Sequence, residues 1–421
     1  MIKLQNSICW LEYEQFLGVY VSVTPLMHRK MVNPNLNPIR ICRGNIVRVK
    51  LEEVCERGSS NLKQSDVVKM SGKYPIYGAS GHIGNADFYH QDKPYVSVIK
   101  DGAGIGRAYL NSAKSSVIGT MQYLLPKNNV IPKYLYYVIR YMHLEKYYTG
   151  ATIPHIYYKD YKNEQFNLAS LEKQERVVEV LEKCEKIINN RRSEIGKLDE
   201  LIKARFVEMF GSINNNIYKY EIKTLQDVCE KIKDGTHQTP IYTEDIENGF
   251  KFLSSKDVTT GKIDWSNIKY ITAELHEKLY EKIKPRKGDI LLAKNGTTGV
   301  AAVVEKEEVI DIYVSLALLR PIDINSVYLW AAINSDETKN QFNRSLKGIG
   351  VPNLHLGEIK NTKIIVPPIA LQNQFADFVH QIDKSKVVAL NHLKNIAILL
   401  TICSIINENT NGKMGRRLYD N

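Results

Sequence analysis

From Leu168 to Gly211 the apolar positions recur four and three residues apart. Leu181, Cys184, Ile188, Arg191, Ile195, Leu198, Ile202, Arg205 and Met209 fall on one stripe, and charged residues fill much of the rest. That heptad spacing predicts one long helix whose seam packs against a partner helix. At 1.5 Å per residue the stretch spans roughly 60 Å. Such a length exceeds that of a solvated helix on an ordinary domain. Gly211 lies just past the last periodic position, where a glycine stops a helix. Two arginines in the seam, and Gly196 in the helix interior, weaken the pattern.

The partner helix is in the same chain. Residues 347–400 repeat residues 149–202 without a gap: Gly348 matches Gly150, Pro352 matches Pro154 and Gln372 matches Gln174, all at a spacing of 198. At that spacing Val379, Ile382, Leu393, Ile396 and Leu400 replace Leu181, Cys184, Ile195, Leu198 and Ile202. The repeat begins earlier, where Leu51–Glu56 matches Leu225–Glu230 at a spacing of 174, so the second copy carries 24 extra residues in its interior. A period of this size means duplicated domains rather than a solenoid. The expected order is a leader (1–45), a first globular domain (46–167), a central helix (168–211), a second globular domain (212–368), a C-terminal helix (369–408) and a frayed tail (409–421).

Inside the globular parts the period changes. The stretches at 74–81, 95–110 and 117–126 read as short strands, as do 249–258, 288–304 and 311–321, each broken by glycine turns. Helices are expected at 132–148 and 327–342. The fold class is therefore α+β.

Charge narrows the partner. Lys and Arg outnumber Asp and Glu by 57 to 46, a net charge of +11, and the central helix balances its own charges. A basic excess in the globular parts suits a polyanion, nucleic acid before a membrane surface. The six cysteines form no CxxC pair and no zinc spacing with histidine. They read as small buried apolar residues of a reducing cytoplasm. The apolar runs at 8–25 and 396–406 are too short, or carry a glutamate, to span a membrane.

The chemistry of a self-sufficient enzyme is not apparent. Gly102, Gly104 and Gly106 suggest a nucleotide loop, but no Gly-Lys-Ser/Thr follows, and Ala-Tyr-Leu after Arg107 reads as a strand. The matching stretch Lys294–Gly299 also sits between two strands, which is hairpin chemistry. Neither HExxH nor G-x-S-x-G occurs.

On these residues, the chain resembles the DNA specificity subunits of type I restriction–modification enzymes over about residues 46–400. The carriers are Gly150-Ala-Thr-Ile-Pro154-His-Ile156 followed by LASLEKQERV and LDELIKARFVEMFG, and Gly348-Ile-Gly-Val-Pro352-Asn353-Leu354 followed by IIVPPIALQNQF. GDILLAKNGTTG, VSLALLRP and DGTHQTPIY add to them. The resemblance implies two target-recognition domains joined by two long helices that form an antiparallel coiled coil. It implies double-stranded DNA as ligand, with methyltransferase subunits, two of them, and restriction–translocation subunits as partners. S-adenosylmethionine, ATP and magnesium would then reside on those partners, and this chain would bind no cofactor and carry no catalytic residue. The second helix departs from the pattern: it lacks the KARFVEMFG ending and runs into AILLTICSIINENTNG.

DNA contact would come from turns that hold polar side chains in a basic setting, since phosphates give affinity and base edges give specificity. In the second domain the candidates are Lys233, Thr236, His237, Gln238 and Thr239, then Ser254, Ser255 and Lys256, then Lys294, Asn295 and Thr297. In the first they are Tyr77, Ser80, His82 and Asn85, then Lys100 and Arg107. Asn and Gln suit adenine, Arg and Lys suit guanine, and Ser and Thr serve either. Tyr157 and Tyr158 are expected to pack rather than to stack on bases.

Overall fold

The computed structural model describes residues 47–150, 154–345 and 353–409, with side chains as far as 396. The leader, the tail after Asn409, Gly348, Pro352 and the side chain of Leu400 lie outside the described residues. Two compact units emerge among the described residues, one running as far as 190 and taking up the chain again from 393, the other spanning 191–392, and both long helices pass through both.

The two units repeat one chain path. In the first, the antiparallel strands Cys55–Gly58, Met121–Pro126, Tyr95–Ile99 and Ala108–Asn111 lie in that spatial order. In the second, Cys229–Asp234, Leu316–Pro321, Ile290–Ala293 and Ala301–Val303 do the same. Beside each lies a smaller sheet with one parallel pairing: Tyr74–Gly78 with Ser116–Val117, and Phe250–Leu253 with Ile310–Ile312. Each unit is closed by a two-stranded ribbon, Val47–Lys50 on Gln165–Leu168 and Glu221–Thr224 on Lys363–Val366. The central strands read YVSVI and ILLA and are buried at every position. Strands covered on both faces lose the alternation of a half-solvated sheet.

The extra length of the second copy has a location. The hairpin that turns at Ala79–Ser80 in the first unit becomes the excursion 254–268, and a helix, Ala273–Ile283, is inserted before the next strand. That helix docks through Leu275 and Leu279, and through His276, whose ring stacks 3.7 Å from that of Phe250 and bonds Asp311 at 2.6 Å.

Two expected helices are broken. The first ends at Tyr141, because His143 adopts φ +50°, and resumes as a 3-10 turn at Leu144–Tyr147. The second splits into Ser326–Asn334 and Asp336–Ser345. Ser335 is extended there, and its hydroxyl accepts from the Thr338 amide at 3.3 Å, the geometry of an N-cap.

The long helices run Leu171–Phe210 and Ile369–Asn409. Gly211 follows the first with φ +69°. Along the first, the partly or fully buried positions include Leu181, Cys184, Ile188, Arg191, Ile195, Leu198, Ile202 and Arg205, spaced as the heptad requires. On the second, Gln372, Phe375, Val379, Ile382, Lys386, Ala389 and Leu393 are buried and Ile396 partly so. Within the second unit the two helices are antiparallel. Asp199 pairs with Lys386 at 2.5 Å, while Phe206 and Phe210, further along the first helix, meet Phe375, which is earlier on the second. Arg205 is accommodated by lying over the Phe378 ring at 6.0 Å and bonding Glu208 at 2.8 Å.

The repeated glutamines fasten each helix to its domain. Gln174, fully buried, accepts from the Ile131 amide at 2.8 Å and donates to the Asn129 and Ala169 carbonyls. Gln372 accepts from the Asn325 amide at 2.8 Å and donates to the Pro367 carbonyl. Ile131 and Asn325 are the N-cap residues of equivalent short helices. Removing either side chain leaves a part-buried helix-cap amide without its acceptor. Gln174→Ala or Gln372→Ala is therefore expected to cost about 1–3 kcal/mol, measured by denaturant unfolding, with Gln→Glu intermediate because the carboxylate still accepts but no longer donates.

Candidate nucleic-acid interface

In the second unit the three predicted groups converge on one turn, Tyr313–Ser315. The Thr236 amide donates to the Ile312 carbonyl at 2.9 Å, and Val314 donates to the Thr236 carbonyl at 2.9 Å. Tyr313 donates to Leu253 at 2.8 Å, and the Ser255 amide donates to the Ser315 hydroxyl at 3.0 Å. Lys294 donates to the Ser315 carbonyl at 2.9 Å. Loops far apart in sequence thus leave the sheet edge side by side. Gly235 makes the approach possible, since a Cβ there would stand 2.3 Å from the Ile312 and Tyr313 carbonyl oxygens.

The side chains divide into exposed and committed ones. Lys233, His237, Gln238, Thr239, Lys256 and Thr297 are exposed, and His237 lies 3.6 Å from Asp234. The Thr236 hydroxyl accepts from the Gln238 amide at 3.1 Å and shapes the loop. Ser254 is a helix cap whose amide and hydroxyl both donate to Asp257, at 2.6 and 3.0 Å. Burial pushes the Asp257 carboxyl above the usual carboxylate range, against those two bonds. Asn295 is half-buried and pairs as a β-bridge with Asn353. Lys294 is buried.

In the first unit the predicted residues form two neighbouring groups. Tyr77, Ser80, His82 and Asn85 occupy one hairpin, where His82 Nε2 and Asn85 Oδ1 are 2.9 Å apart and Ser80 is exposed at the tip. Lys100 and Arg107 bracket the Gly102–Gly106 turn, and Arg107 folds over it to donate to the Gly104 carbonyl at 3.3 Å. All three turn glycines have φ above +80°, so the turn is built on backbone only glycine adopts freely. The Tyr109 hydroxyl links the two groups by donating to the Ala79 carbonyl at 2.7 Å.

The framework beneath both sites is the same. Lys100 donates to Thr120 and accepts from Ile156 as Lys294 donates to Ser315 and accepts from Leu354. The bridge Asp101 to His155 corresponds to Asn295 to Asn353. Identical backbone bonds thus carry different side chains. Among the described cysteines Cys55 and Cys229 are buried and Cys184 partly so, and burial pushes the Cys55 and Cys229 thiols up to about 12. Tyr158 packs in the first core as expected, but Tyr157 is half exposed and stacks on His155 at 6.2 Å.

A family model, the type I restriction modification DNA specificity domain, matches residues 44–197 and 218–399. The MjaVIII specificity subunit of a type I restriction enzyme from Methanocaldococcus jannaschii is 24% identical over 310 residues, covering 68% of this chain and 72% of that one. The MjaIX specificity subunit from the same organism is 23% identical over 317 residues, 66% and 68% of the two chains. The solved S subunit of a type I restriction–modification system from M. genitalium shares the fold, with a TM-score of 0.53 at 16% identity over 86% of this chain and 95% of that one. The two family matches fall one on each copy of the repeat, and the chain belongs to the type I restriction–modification DNA specificity family.

Proposed function

We propose that this chain is the DNA-recognition subunit of a type I restriction–modification complex and that each unit reads one half of a bipartite target. The observation that carries this is a duplicated framework with divergent loops: the same backbone bonds support Lys100, Asp101 and His155 in one copy and Lys294, Asn295 and Asn353 in the other. Two copies of one surface would read one sequence twice, whereas two differently furnished surfaces read two. The basic balance supplies phosphate affinity. Methyl transfer and cleavage belong to partner subunits. S-adenosylmethionine, ATP and magnesium are placed there, and two methyltransferase subunits are expected around one copy of this chain. Among the described residues no helix is long and apolar enough to cross a membrane; the working compartment we assign is the cytoplasm.

The competing reading is a coiled-coil scaffold that binds DNA without choosing sequence. Equilibrium binding of the co-expressed methyltransferase complex separates the two. Sequence recognition predicts that the cognate duplex is preferred over random duplex by about 10³-fold or more at physiological salt. Equal affinities for both, falling together as salt rises, would support the scaffold.

A further inference from the structure

Lys294 and Lys100 hold equivalent backbone positions, yet their side chains meet different fates. Lys100 Nζ lies 3.8 Å from Asp101, and its side chain is 30% exposed. Lys294 is 8% exposed, and its Nζ lies 2.6 Å from Asp234 Oδ1, a charge contact rather than a directed hydrogen bond. Asp234 ends a sheet strand, and the loop of Gly235, Thr236, His237, Gln238 and Thr239 departs directly from it. Lys294 immediately precedes the turn of Asn295, Gly296 and Thr297. Its backbone is fixed on both sides, by Ser315 and by Leu354. One ion pair therefore joins the roots of two loops that carry His237, Gln238, Thr239 and Thr297, four of the six exposed candidate residues of this unit. The first unit lacks this carboxylate: the repeat places Ser60 there by sequence spacing, and the strand register, shifted by the bulge after Cys229, places Ser59.

We propose that Lys294, paired with Asp234, is a positioning residue for base reading in the second unit, whereas Lys100 contacts a DNA phosphate in the first. The inference rests on the recognition reading above. A buried lysine cannot reach a phosphate, but it can hold two loops at one separation. Base readout depends on that separation, because donor and acceptor patterns on a base edge are matched only when side chains from both loops arrive together. A phosphate contact contributes equally to every sequence.

The test uses the full complex with its methyltransferase subunit and duplexes altered in one half-site at a time. Asp234→Asn, which changes no volume, and Lys294→Met should each lower discrimination at one half-site about ten- to a hundredfold. The other half-site and the salt slope should stay as in the unmodified complex. The double variant should do no more than either single one, as for two members of one pair. Lys100→Met should weaken binding to all duplexes alike and reduce the salt slope by about one. If Lys294→Met leaves discrimination intact or lowers the salt slope, the positioning role is overturned. Should Lys294→Met fail to fold, Asp234→Asn decides between the same two outcomes. An unmodified complex that discriminates at neither half-site would overturn both this inference and the recognition reading, whereas unchanged discrimination in the variants overturns only this one.

Discussion

Exchanging residues 218–366 for the second domain of another family member should replace one half of the methylated motif and preserve the other. The cut points suit the exchange, because Glu221 pairs with Val366 across the closing ribbon. The inserted domain therefore enters and leaves the chain at neighbouring points of one ribbon. The first unit keeps its own closing ribbon, Val47–Lys50 on Gln165–Leu168, and its own core. Each mismatched base pair costs ~1–3 kcal/mol, so three changed pairs shift preference by roughly 10² to 10⁶-fold. Sequencing of methylated DNA reads the outcome directly. A change in both halves, or in neither, would contradict modular reading.

Phe375→Ala should be among the most destabilising single substitutions in the second unit. Phe375 is fully buried on the second long helix, with edge-to-face contacts to Phe206 at 5.5 Å and Phe210 at 5.6 Å on the first. Phe206 and Phe210 in turn meet Tyr328 of the short helix Ser326–Asn334. The ring thus lies where both helices and the domain meet. Its loss costs about 3–5 kcal/mol in transfer and cavity terms, against a stability of about 5–15 kcal/mol for an ordinary domain. Thermal unfolding and limited proteolysis of the complex should show the second unit opening first, with reading of one half-site lost. Val387→Ala, on an exposed position of the same helix, should stay within about 0.5 kcal/mol. Equal effects from the two would show that the seam does not stabilise this unit.

The long-range organisation was legible because it rests on periodicity and self-similarity. The heptad spacing marks the partly buried stripe of the first helix, including Arg191 and Arg205, and the glutamines at a spacing of 198 do equivalent work in both copies. Lys386 and Ala389 were less visible at the second seam, where a charged residue and a small one break the apolar pattern. Lys386 is tolerated because Asp199 faces it. The closing ribbons could not be read from the chain because VRVK and EIKT are short and pair with strands over a hundred residues away. The candidate loops could be chosen from turn chemistry, but composition cannot distinguish a lysine that faces solvent from one that faces Asp234. Ser254 has the same ambiguity: composition does not reveal that its hydroxyl donates to Asp257 and caps a helix. Tyr157 stacks on His155, which bonds Asp101 at 2.6 Å, a contact between distant segments that the sequence does not announce.

The most direct test of the recognition claim is a genome-wide map of DNA methylation in cells that express the methyltransferase subunit with and without this chain. Methylation that depends on this chain, at one motif made of two defined halves separated by an undefined gap, is the predicted result. Methylation that is unchanged when the chain is removed, or that shows no sequence preference when it is present, would contradict the account.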